Sequence, residues 1–365
     1  MACAICRADH IGSLLRPRAV KDAYKAHAAG TLDDTGFAAV QDQAIREVVA
    51  MQEAAGLDAV TDGEFRRQSW FAAFVEAVDG LTHKDTYFNF TDDAHSDVPT
   101  KVPHVHGPIR RTGGITTHEY EFLKTVAKKT PKVTMPSPSV IHFFRGKDGI
   151  DRGVYPDEAE FWSDLAAVYQ AEIADLAARG CTYVQIDEVP MALLCDPKVR
   201  ERIAGWGWDA SKLLDTYIRV TNQALAGRPK EMTVGMHMCR GNFRGRWIGT
   251  GGYDWVAERV FPEVDVDLFL LEYDSERAGD FGPLRFMPKK KAVVLGLVSS
   301  KTPVLEPIDH LLKRLDAASR YVPMERLAIS PQCGFGTTVG GAPMTEDDEK
   351  RKLALVGEVA RKAWS

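Results

Sequence analysis

A chain of 365 residues with a hydrophobic share of 45% can bury a large core, and single barrels of alternating strands and helices reach this length with insertions. A net charge of -5 argues against a general nucleic-acid binder, which carries a basic excess. Six cysteines, at positions 3, 6, 181, 195, 239 and 333, are too sparse for a disulfide scaffold.

Residues 8–13 read as a first strand, followed by a helical pattern through Phe37 to Ala54 with a stop at Gly56. The second strand is 58–64 and the third 132–135, running into Pro136-Ser137-Pro138-Ser139. A long helix from Glu158 to Ala178 ends at Gly180, a C-terminal stop signal. Strands then follow at 182–188, at 232–239, before Glu272, at 292–298 and before Cys333, and a last helix spans Glu346 to Trp364 with Thr345 as its N-cap. Eight strands alternating with helices predict a parallel sheet closed into a (β/α)8 TIM barrel, with a doubly wound open sheet as the alternative. One domain covers 1–365. The stretch 71–130, rich in His, Thr, Asp and Gly, breaks the rhythm and reads as an insertion after the second strand, a hairpin excursion covering the barrel mouth.

The N-terminus lacks a charged stretch followed by an apolar one, and no apolar run approaches the ~20 residues a spanning helix needs. A cytoplasmic protein with no membrane and no nucleic-acid partner is expected. Cys3 and Cys6 form a C-x-x-C without a second pair at zinc-ribbon spacing, and are read as an incidental feature of a frayed terminus.

The chemistry concentrates where the apolar runs end. His237 and Cys239, at i and i+2 of a strand, leave the same face and make half of a tetrahedral zinc site. Glu272 and Cys333, each just after an apolar run, supply the other half. Ser13, Asp62, Glu64, Ser137, Ser139, Asp187, Glu188, Asp274, Ser299 and Ser300 also terminate runs, and a barrel gathers them around one mouth. Zinc held by His, Glu and two Cys is electron-rich, a poor Lewis acid for water and well suited to keeping an incoming thiol as a nucleophilic thiolate. The reaction class is attack by that thiolate on an electrophilic carbon.

Plainer readings stand beside this one. Cys239 and Cys333 fit as buried small hydrophobes, His237 as a core histidine, Glu272 as a partner of Arg277, and the zinc as a closed structural site. Glu64, Asp187 and Glu188 read as recognition of a substrate ammonium, with Ser13 taking a carboxylate, or as an ion-pair network with Arg66, Arg67 or Arg7. His10 reads as a general acid or hydrogen-bond partner of the substrate, or as a structural histidine. Trp70, Tyr273, Phe335 and Trp247 supply either a stacking wall or core.

Ile11-Gly12-Ser13, Asp62-Gly63-Glu64-Phe65, Gln185-Ile186-Asp187-Glu188, His237-Met238-Cys239, Glu272 and Pro331-Gln332-Cys333-Gly334 resemble, in order, the catalytic barrel of cobalamin-independent methionine synthase. The resemblance runs from about residue 7 to the end. It implies a (β/α)8 barrel, Zn2+ on His237, Cys239, Glu272 and Cys333, and homocysteine contacts at Ile11, Ser13, Glu64 and Asp187. His10 and Asp187 are the candidate catalytic groups, and Glu188 joins the substrate-binding set. The long members of that family carry a second, N-terminal barrel, and a histidine acid after the seventh strand where this chain reads Ser299-Ser300-Lys301. Single-barrel relatives include core methionine synthases that take methyl from a corrinoid protein and an epoxyalkane:coenzyme M transferase.

The reading is thus a zinc-dependent thiol alkyltransferase, with methyl transfer to homocysteine leading. Transfer of another thiol such as coenzyme M to an epoxide comes second, with Arg7, Arg16 and Arg240 as cations for a sulfonate. A non-catalytic zinc or thiol-binding partner of a corrinoid protein comes third. The expected partners are a small-molecule thiol and an alkyl donor, either folate, a methyl-corrinoid protein or another electrophile, and a homo-oligomer is compatible with them.

Overall fold

The structure, a computed structural model, describes residues 5–91 and 100–364. Cys3 lies outside the described residues, and Cys6 is a half-buried free thiol. The strands are β1 (Ala59–Val60), β2 (Val78–Asp85), β3 (Lys101–Arg111), β4 (Thr130–Pro131), β5 (Val133–Pro136), β6 (Tyr183–Glu188), β7 (Thr233–Met238), β8 (Leu268–Glu272), β9 (Ala292–Val298) and β10 (Leu327–Pro331). Strands β5 to β10 are buried at every position, as a parallel sheet covered on both faces requires, and they pair in chain order.

Shorter contacts complete the ring. Asp9 N donates to Ile329 O and Ile329 N to Arg7 O, both at 3.0 Å, which ties residues 7–9 to β10. Asp58 N donates to Ala8 O at 2.9 Å, β1 pairs with β4, and Lys132 N donates to Val60 O at 2.8 Å. All eight expected strand positions therefore surround one TIM barrel. The first is a single bridge, Ala8 to Ile329, and the chain leaves the extended conformation at Gly12 (φ 136).

Inside the barrel Ile11, Ala59, Tyr183, Leu268, Leu270, Ala292, Val294 and Ala328 form a small apolar cluster, distinct from the large one between strands and helices. Gly235 faces this interior, where an added Cβ would lie 2.8 Å from Leu268 Cδ1 and 2.9 Å from Leu270 Cδ1. A polar layer joins the cluster: the Lys132 ammonium contacts Asp9 Oδ1 at 2.7 Å and Gln185 Oε1 at 2.9 Å, and Tyr183 donates to Asp9 Oδ2 at 2.7 Å. Each charge in this dry layer has a partner, which is the condition for burying it.

Within 71–130, β2 and β3 make an antiparallel hairpin whose register shifts between Asp79 and Leu81. Gly80 (φ 85) sits at the shift, and a Cβ there would come within 2.5 Å of Gly107 O and Pro108 O. The helix Thr117–Val126 packs against the helix Asp34–Ala54 and β4, so it serves as the crossover into the third barrel strand. No helix of the described residues is long and apolar enough to cross a membrane.

The helix Glu346–Ala363 closes the barrel's outer layer and begins with a capping box, Thr345 and Asp348 satisfying each other's backbone N–H groups. Its Glu349 is buried and accepts the Leu15 N–H at 2.8 Å. Burial pushes the Glu349 carboxyl from 4.5 up to about 8, so the unfolded chain gives up this proton first. Its contribution to stability is full below pH about 4.5 and is lost as pH rises through about 8. Glu349→Gln keeps an acceptor and removes the titration. It is expected to raise the melting temperature by an amount that grows from pH about 4.5 to about 8, in a series of thermal melts.

Candidate metal centre

Strand β7 delivers His237 and, one residue past its end, Cys239 to the barrel mouth. Because side chains alternate, Gly235, His237 and Cys239 share the inward parity. His237 Nδ1 donates to Leu270 O of β8 at 3.1 Å, which leaves Nε2 buried and without a hydrogen-bond partner. Cys239 Sγ lies 3.4 Å from Cys333 Sγ, which follows β10, and receives the Gly241 N–H at 3.2 Å. The His237, Cys239 and Cys333 donors fall within 4.8 Å of one another, all buried. The hydrogen bond from Cys333 pulls the Cys239 thiol down to about 5 and raises that of Cys333, so the pair holds one thiolate and one shared proton. An orphaned imidazole nitrogen beside a thiolate and a thiol is a donor set that fits zinc.

Glu272 does not join this group. Its carboxylate contacts Arg277, lies 3.2 Å from Lys301 Nζ and accepts the Arg240 N–H at 3.0 Å. Burial alone would raise Glu272, but Lys301, Arg277 and Arg240 together push it well below the carboxylate range. The expected four-ligand set is therefore three donors plus a carboxylate already neutralised by cations. Lys301 occupies the stretch after the seventh strand where the resemblance implies a histidine acid.

The remaining sequence candidates divide by strand parity. Ile11, Ser13, Glu64 and Asp187 line one cleft with His237, Cys239 and Cys333. Glu188 does not, because its neighbour Asp187 faces the mouth and adjacent residues of a strand cannot both do so. Glu188 points outward, where Ser139 Oγ donates to it at 2.5 Å and Met191 N at 2.7 Å. His10 is excluded for the same reason: Asp9 and Ile11 face inward, and His10 lies buried toward Gln52 of the surrounding helix layer. Neither residue is placed to touch a substrate.

Gly12 is required where it stands, since a Cβ would lie 2.7 Å from Thr134 Cγ2 and 3.1 Å from Glu64 Oε1. Glu64 itself adopts φ 60, the left-handed region that side chains rarely enter, and strain of this kind persists where surroundings over-determine it. Asp62 holds the turn by accepting the Glu64 N–H at 2.8 Å. Burial raises Asp62 to about 6 and Asp187 to about 7, the latter opposed by nearby His237 and by the Gln185 amide, which donates at 2.7 Å.

Trp70 lines the cleft as one of the proposed aromatic walls, whereas Tyr273 and Phe335 are core and Trp247 lies beneath the Arg277 guanidinium. Phe90, Phe144, Ile248 and Thr337, none of them singled out in the sequence, also line it, as does Asn242. Phe90 comes from the stretch between β2 and β3, which is fastened over the mouth where Thr91 and Trp247 exchange backbone hydrogen bonds at 2.8 and 2.9 Å. Asn242, two residues beyond Thr-Val-Gly-Met-His-Met-Cys-Arg, was the one with a usable signal, its place beside the metal motif.

Metal donors and buried carboxylates at the strand ends of a parallel barrel define a methionine-synthase-type α/β barrel. The chain matches the family described as cobalamin-independent synthase, catalytic domain, over residues 7–354. It is 37% identical over 362 residues to the protein YxjH of Bacillus subtilis (strain 168), covering 98% of this chain and 94% of that one. It is 25% identical over 343 residues to the methionine synthase of Pyrococcus abyssi, covering 89% and 85%. It superposes with a TM-score of 0.79 and 31% identity on a Listeria monocytogenes protein assigned as a vitamin-B12-independent methionine synthase, covering 100% and 99%. The chain belongs to the cobalamin-independent synthase catalytic-domain family, a family of methyltransferases.

The donor geometry predicts how metal content responds to substitution. Cys239→Ser and Cys333→Ser should each lower zinc affinity by at least about tenfold in equilibrium dialysis, while Glu272→Gln should keep the wild-type stoichiometry. A loss on Glu272→Gln as large as on Cys239→Ser would return Glu272 to the ligand set.

Proposed function

We propose that this protein methylates the sulfur of homocysteine to give methionine. The observation that carries the reading is the charge pattern of the cleft: two carboxylates, Glu64 and Asp187, stand beside the sulfur donors, and among the described residues no Arg or Lys lines the same space. Such a cleft suits a thiol that carries an ammonium.

His237, Cys239 and Cys333 would hold zinc, which when bound would lower the pKa of an incoming thiol so that it is presented as thiolate at neutral pH. Glu64 Oε2, buried and without a partner, and the Asp187 carboxylate, oriented by Gln185, receive the ammonium. Ser13 orients the substrate carboxylate. Trp70, Phe90 and Phe144 exclude water from the side on which the methyl donor enters, a folate, a methyl-corrinoid protein or another small electrophile.

The coenzyme M alternative needs a cation for the sulfonate. Arg7 is engaged with the carbonyls of Met324, Glu325 and Leu327 at the opposite end of β10. Arg16 is engaged with the carbonyls of Leu14, Gly336, Glu64 and Arg67. Arg240 donates to Gly251 O at 2.7 Å and lies over the Tyr253 ring. The arrangement favours the amino thiol.

The test is methionine formation from L-homocysteine with zinc-loaded protein and a panel of methyl donors. Glu64→Gln and Asp187→Asn should each raise KM for homocysteine at least about tenfold, the value of a hydrogen bond to a charged group. Turnover of coenzyme M with full retention in Glu64→Gln would defeat the reading, and so would thiol binding without turnover of any donor.

A further inference from the structure

Glu64 stands at the end of a buried chain of charges that the function above does not by itself explain. Arg67 is 2% exposed and lies between two carboxylates. Toward Glu119 it makes a bidentate pair, Nε to Oε1 at 2.9 Å and Nη2 to Oε2 at 2.5 Å. Toward Glu64 its nearest approach is Nη1 to Oε1 at 3.7 Å, too long for a hydrogen bond. The Thr134 hydroxyl of β5 fills this interval: Arg67 Nη1 donates to it at 3.0 Å, and it donates to Glu64 Oε1 at 2.7 Å.

The direction of these bonds is forced. A guanidinium only donates, so Thr134 Oγ1 must accept from Arg67, and its single proton is left for Glu64. The Arg67 charge is meanwhile matched by Glu119. Glu64 is therefore held at one oxygen by a neutral hydroxyl, and its other oxygen, Oε2, has no partner.

We propose that Thr134 is a positioning residue for amino-group recognition, an insulator that keeps Glu64 from pairing directly with Arg67 and so leaves Glu64 Oε2 to receive a substrate ammonium. This rests on the reading that the substrate is an amino thiol. Without the hydroxyl, Arg67 Nη1 keeps only its longer bond to Trp70 O, at 3.3 Å, and Glu64 Oε1, at 3.7 Å, is the carboxylate oxygen within its reach. The carboxylate is then drawn toward Arg67, its charge is matched internally, and the cleft loses one of its two ammonium acceptors. The methyl of Thr134 has a separate role, packing where Gly12 lacks a side chain.

The two roles come apart by substitution. Thr134→Val keeps the shape and removes the hydroxyl, whereas Thr134→Ser removes the methyl and keeps the hydroxyl. Calorimetric titration of the zinc-loaded proteins with L-methionine and with its desamino analogue reads ammonium recognition directly, without turnover. Thr134→Val should weaken L-methionine about tenfold and leave the analogue unchanged, and Thr134→Ser should stay within about twofold of wild type for both. Equal weakening of both ligands by Thr134→Val, or no weakening of L-methionine, would overturn the assignment while leaving the proposed function in place. A wild-type protein that does not prefer L-methionine to the analogue would overturn both. If Thr134→Val folds poorly by circular dichroism, Thr134→Ala read against Thr134→Ser isolates the hydroxyl, since both lack the methyl.

Discussion

In a closed parallel barrel each strand side chain faces either the interior or the helices, and the two-residue period leaves no third choice. Everything at the mouth of this protein depends on that constraint. Asp9 and Ile11, Tyr183, Gln185 and Asp187, and Gly235, His237 and Cys239 share the inward parity on three strands. These inward positions carry the apolar cluster, the contacts of Lys132, Asp9 and Gln185, and the cleft, and Ile11 belongs to both the cluster and the cleft. The layers are physically joined, since one Gln185 amide accepts from Lys132 and donates to Asp187. A single slip of register on β6 would exchange Asp187 for Glu188 and empty the site.

The second organising fact is how the buried carboxylates are matched. Glu119 is matched by Arg67, Glu272 by Arg277, Lys301 and Arg240, and Glu188 is satisfied by hydroxyl and backbone donors. Glu64 and Asp187 accept hydrogen bonds only from the neutral side chains of Thr134 and Gln185, and the Arg67 guanidinium comes no nearer to Glu64 than 3.7 Å. Neutral donors satisfy part of a carboxylate's hydrogen-bonding capacity without cancelling its charge, and that separates an ammonium site from a structural ion pair. The left-handed turn at Glu64 and the missing side chain at Gly12 are the backbone conditions under which this carboxylate reaches the cleft at all.

The hairpin gives the mouth a roof. Its strands lie outside the barrel, but the segment that follows β2 carries Phe90 over the metal donors and is fastened to the opposite rim between Thr91 and Trp247. With Trp70 and Phe144 it forms an apolar wall above polar donors. That contrast lowers the local dielectric and strengthens the electrostatics of the site below.

Much of this was legible in the order of residues. The barrel strands, the helix stop at Gly180 and the cap at Thr345 are local signals, carried by hydrophobic period and by terminal residues. The His-x-Cys pair followed from parity within one strand, and the family resemblance rested on motifs short enough to read directly. Tertiary structure decided what depends on neighbours. It turned His10 and Glu188 away from the mouth, because parity is a property of a strand but which parity faces inward is set by packing. It gave Glu272 to Arg277, Lys301 and Arg240, and it placed Thr134 between Arg67 and Glu64, residues separated by 67 and 70 positions in the chain. Such assignments depend on distances between strand ends, and no sequence spacing encodes them, because the barrel's closure and not the chain's order brings those ends together.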